Sequence, residues 1–139
     1  MKRYLLKLMA MCFLFVMTFN VISMAKNNRD TTFDFTLGVF QKNSYTSNRT
    51  KEDRSSAYSK CSYVGKGRIR VWLQRNTGVN VTEGGDYLLG GGDTVCIRNN
   101  AYERYGRCSV RLVVETERPQ AVRINTRGVW SPDSIGCAP

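Results

Sequence analysis

The chain has 139 residues, a formal charge of +10 and no histidine. That length suits one ordinary domain and is too short for two. The missing imidazole excludes every mechanism that needs histidine as base, acid or metal ligand. No enzyme is expected on these counts.

Residues 1-25 read as a signal peptide. Lys2, Arg3 and Lys7 form a positive start, residues 8–19 are an apolar run, and Ser23 and Ala25 are small residues suited to cleavage before Lys26. The run between Lys7 and Asn20 holds 12 residues, short of the ~20 a membrane span needs. Cys12 lies inside the run without the usual small pair before it, so lipoprotein processing is not expected. Cleavage would leave 26-139 as one secreted domain of 114 residues, lower the charge by three to +7, and leave four of the five cysteines. The expected location is secreted or extracellular, with cell-wall association a further expectation.

Phe33, Phe35, Leu37 and Val39 alternate with Asp34, Thr36 and Gly38, the period of a half-buried strand. Residues 41–56 are polar and read as a long loop or an extended edge segment. Residues 57–64 form a mixed strand, Gly65-Lys66-Gly67 a turn, and residues 68–75 a strand with Ile69, Val71 and Leu73 on one face. That pair reads as a hairpin. Asn76-Thr77-Gly78 is a turn, and Val79 and Val81 mark a short strand.

The glycine-rich stretch 82–93 surrounds Tyr87-Leu88-Leu89 and reads as an inter-strand loop. It lacks the Lys-Ser/Thr ending of a phosphate loop. Asp86 and Asp93 match no calcium-loop spacing. A strand over 94–98, a polar loop over 99–106 and a long strand over 107–117 follow, with Val110, Leu112 and Val114 on one face. Pro119 ends that strand. A strand over 121–126 would put Val122 and Ile124 inward; Gly128-Val129-Trp130 follows over a bulge, with Trp130 as a core aromatic. Residues 131–134 make a turn, and Cys137 pins the tail. No stretch after residue 26 carries a helical stripe. The pattern predicts an all-β fold, a small antiparallel β-sandwich of about seven or eight strands.

Cys61, Cys96, Cys108 and Cys137 are an even set in an exported chain, so two disulfides are expected. Their spacings, with no C-x-x-C and no histidine, argue against a metal site. The preferred pairing is Cys96–Cys108 across the 99–106 loop and Cys61–Cys137 at the tail. Cys96–Cys108 requires a bulge or twist, because Cys108 shares its face with Val110 and Leu112 while Cys96 shares its face with Thr94 and Arg98.

No cofactor is expected. The acids stand mostly beside bases, as in Glu103-Arg104 and Glu117-Arg118, which suits a solvated surface better than a catalytic pair. Arg68, Arg70 and Trp72, with Gln74, share one strand face, and Arg107 and Arg111 form an outward pair on another strand. Guanidinium and indole groups so placed can stack on a ring and hold an anion. An anionic cell-envelope polymer or a protein is the expected partner; nucleic acid is not favoured.

Four short runs carry a resemblance: Phe33-Asp34-Phe35, Asn43-Ser44-Tyr45-Thr46, Arg54-Ser55-Ser56-Ala57-Tyr58 and Gly128-Val129-Trp130-Ser131-Pro132-Asp133-Ser134. Together they resemble a family of small uncharacterised exported proteins of Gram-positive bacteria. The resemblance implies export and carries over no activity and no site residues. The four cysteines after residue 26 depart from that family's pattern. Lactococcin-type bacteriocins are a more distant similarity. The reading is a secreted non-catalytic binding module at or near the cell envelope. A bacteriocin-like toxin or enzyme inhibitor is the alternative, and a carboxylate-dependent hydrolase ranks below both.

Overall fold

The computed structural model describes residues 27–137, so the expected signal peptide lies outside the described residues. Those residues hold nine strands and one short helix: β1 (Thr31–Leu37), β2 (Ser44–Tyr45), β3 (Arg49–Lys51), β4 (Ala57–Val64), β5 (Ile69–Arg75), β6 (Tyr87–Leu89), β7 (Thr94–Ile97), α1 (Ala101–Tyr105), β8 (Cys108–Thr116) and β9 (Ile124–Ser131). The all-β expectation stands. One sheet has the order β1-β9-β4-β7; the other runs β2-β8-β5-β6, with β3 also paired to β8. Every strand pairing is antiparallel.

Alternation puts the apolar faces of both sheets into one core. Phe33 and Leu37 of β1, Cys61 of β4, Ile97 of β7 and Trp130 of β9 meet Ile69, Val71 and Leu73 of β5 and Val110, Leu112 and Val114 of β8. The inward faces read for residues 68–75 and 107–117 are therefore correct, as is Trp130 in the core. The polar stretch 41–56 contributes the two short edge strands β2 and β3, both along β8.

Several local expectations are corrected. The 57–64 and 68–75 strands are not a hairpin, because β4 and β5 belong to different sheets. The turn between them carries the chain across the core: Gly65 N–H donates to Asn125 O at 2.9 Å and Glu117 N–H to Arg68 O at 3.0 Å. The 82–93 stretch is a strand between glycine turns, with Gly84, Gly85 and Gly92 at positive φ. The polar loop 99–106 winds into α1. The last strand starts at Ile124, and Val122 is exposed. The irregularity near Gly128 sits in its neighbour β4, where the register shifts between Cys61 and Tyr63.

One disulfide forms among the described residues, and neither expected pairing is it. Cys96 bonds to Cys137, with Cα atoms 5.6 Å apart, while Cys61 and Cys108 are free and buried. Facing decides this. Cys61 and Cys108 point into the core, whereas Cys96 sits on edge strand β7 at an exposed position next to core-facing Ile97. No bulge turns Cys96 inward, since β4 and β7 pair in unbroken register. The tail therefore fastens to the outside of the sheet.

Candidate functional site

The outer face of the five-stranded sheet collects most of the arginine and aromatic residues singled out in the sequence. Register sets three rows across it: Tyr45, Val113 and Trp72; Arg111 and Gln74; Glu115, Arg70 and Leu88. Val113 points away from the core yet is fully buried, flanked by Tyr45 and Trp72. The Arg111 guanidinium lies 4.1 Å from the centre of the Tyr45 ring. Its Nε and Nη2 both donate to Gln74 Oε1, at 3.0 and 2.7 Å. This fixes a planar cation over an aromatic ring, an arrangement that suits guanidinium better than ammonium.

The other arginines are engaged with acids. Arg70 lies 3.5 Å from Asp86 and 3.6 Å from Glu115, and donates to Glu117 O at 3.3 Å. Partial burial pushes the Glu115 carboxyl above its usual range, and Arg70 opposes that shift. Arg68 makes a two-pronged contact with Glu117, at 3.2 and 2.7 Å. The hydrogen bond from Arg68 holds the Glu117 carboxyl below its usual range. Arg107 precedes β8 and pairs with Glu52 at 2.8 Å. The structure thus brings Arg70, Trp72 and Arg111 together, leaves Arg68 at the margin, and separates Arg107 from Arg111. Among the described residues no carboxylate pairs with Arg111.

Tyr45 is the member of this face that sequence reasoning missed. It stands alone in a polar stretch, and only the pairing of β2 with β8 brings it beside Arg111.

A second constellation forms where β3 meets the chain after β9. Lys51 is fully buried, and its Nζ lies 2.7 Å from Oδ1 of the equally buried Asp133. The same Nζ donates to Ser55 O and, at 2.8 Å, to Pro132 O. Asp133 Oδ2 accepts N–H bonds from Glu52 at 3.0 Å and Asn27 at 3.2 Å. Asp53 N–H reaches Oδ1 at 3.4 Å. Ser134 closes the cluster, its N–H donating to Ser55 Oγ and its Oγ to Ser56 O. Two runs far apart in sequence, Arg54-Ser55-Ser56-Ala57-Tyr58 and Trp130-Ser131-Pro132-Asp133-Ser134, so meet around one buried ion pair. A lysine in a polar stretch gave no signal that it would be buried.

The convergence of these runs accords with a family model that matches residues 21–134. The chain belongs to the DUF2712 family, described as proteins of unknown function. No curated protein and no solved structure matches it. In this DUF2712 chain the outer sheet face and the Lys51–Asp133 cluster both fall inside the matched residues. No described helix is long and apolar enough to cross a membrane.

Proposed function

We propose that this DUF2712 protein is an exported, non-catalytic β-sandwich of Gram-positive bacteria that binds an anionic polymer at or near the cell envelope. The binding surface is the outer face of the five-stranded sheet. The observation that carries the reading is the Arg111–Tyr45 stack beside Trp72. It holds a cation without a carboxylate partner among the described residues, next to aromatic surface that can take the apolar side of a sugar or polyol. The positive overall charge adds attraction that salt screens. Support for export comes from residues 1–25, with Lys26 as the first residue of the mature chain.

The test is retention of folded protein on isolated cell-envelope fractions at low and high salt. Retention should fall with salt and should weaken in Arg111→Gln and Trp72→Ala, with far-UV circular dichroism unchanged. Retention that ignores both salt and these substitutions would sink the reading. Retention that ignores salt but is lost on protease treatment of the envelope would point to a protein partner instead. Export is checked by the mass of the protein recovered from culture medium, which should begin at Lys26.

A further inference from the structure

We propose that Lys51 and Asp133 condense into an intramolecular amide that covalently joins β3 to the chain following β9. The buried cluster holds an amine and a carboxyl in contact, with acceptors and donors placed for that reaction. Both side chains are fully buried, and Nζ lies 2.7 Å from Oδ1. Two ions withdrawn from water carry a large desolvation cost, and their mutual attraction offsets it incompletely. A neutral amide carries less of that cost, and the water produced leaves for bulk solvent. Burial therefore favours condensation here, whereas water opposes it for free amines and acids.

The donors and acceptors fit each step. The ammonium of Lys51 gives one proton to Asp133 Oδ1 across the 2.7 Å contact. The two N–H bonds that remain have acceptors in Ser55 O and Pro132 O, which leaves the lone pair on the carboxyl side. Nζ attacks Cγ, and a C–N bond forms. Negative charge then builds on Oδ2, where the N–H groups of Glu52 and Asn27 already donate, at 3.0 and 3.2 Å. That is an oxyanion-stabilising arrangement set in place before reaction.

The nitrogen must lose a second proton and Oδ1 must gain one. The Asp53 carboxylate, with Oδ1 4.0 Å from Nζ and accepting from Ser55 N–H and Oγ, lies beyond direct reach and relays it through one intervening water. Oδ1 departs as water, one C–O bond breaks, and the C=O bond re-forms at Oδ2. The nitrogen keeps one hydrogen. Nothing is oxidised or reduced, and no co-reactant is needed.

The experiment is the intact mass of the full chain as produced by cells, reduced and denatured before measurement. The expected mass lies one water below that of the sequence recovered. Fragmentation should show a branched peptide joining Lys51 to Asp133, with proteolysis blocked after Lys51. A fully hydrated mass overturns the proposal, as does a water loss mapped to any other residue. Lys51→Met should restore the hydrated mass, a readout that does not depend on folding. Asp53→Asn should slow formation by about a hundredfold or more, followed as the cross-linked fraction against time in freshly made protein. An unchanged rate removes Asp53 from the mechanism.

Discussion

At Gly128 three strands approach so closely that no side chain fits. It pairs with Phe33 on one side and Cys61 on the other. A Cβ there would lie 2.1 Å from Lys60 O and 2.4 Å from Phe33 Cζ, and the first of these is backbone. Gly128→Ala should therefore cost about 3 kcal/mol or more, read as a lowered urea midpoint or as loss of soluble protein. The two buried thiols allow a second check. Burial pushes both Cys61 and Cys108 above the ordinary thiol range, because it disfavours the reactive thiolate. At mildly alkaline pH both should resist alkylation in the native protein and react promptly in denaturant. Without reductant, modification mapped to both Cys61 and Cys108 would match the structure, and modification of neither would match the two-disulfide expectation. Arg111 was legible as an outward residue from the alternation of its strand. Its ring partner was not, because the stack with Tyr45 joins residues 66 positions apart and nothing local marks the contact.

Strands with clean alternation were readable, and their neighbours were not. Residues 69–75 and 108–116 show one polar and one apolar face, so their inward positions follow from period two alone. The Gly65-Lys66-Gly67 turn was also correctly placed. A turn, however, does not specify which sheet receives the next strand. Both β4 and β5 can bury one face whether they pair with each other or face each other across a core. The free choice is settled by long-range partners: β9 takes β4, and β8 takes β5. Cysteine pairing failed for the related reason that face, and not sequence spacing, decides which sulfurs meet. The Cys96–Cys137 link closes a separation of 41 residues. Cys96→Ser should cost up to about 4 kcal/mol by loop entropy, measured as a fall in the thermal midpoint. Adding reductant to the unmodified protein should lower the midpoint by a similar amount, and should not affect the Cys96→Ser variant.

Among the described residues, most acids sit in ion pairs such as Arg68–Glu117, Arg107–Glu52 and Arg127–Asp34, while most of the basic residues have no acidic partner. Exposed pairs of this kind contribute little to stability. High salt should leave the unfolding midpoint nearly unchanged while it weakens any envelope binding, so the two measurements separate fold from function. The topology also has a consequence in time. The strand β9 lies between β1 and β4 in its sheet, yet it follows every other described strand in sequence. Until residues 124–131 emerge, β1 and β4 lack their shared partner. Contacts of such long sequence separation make for slow folding. A growing chain would hold this sheet open at its centre, with β1 and β4 each missing a neighbour, until residues 124–131 join them.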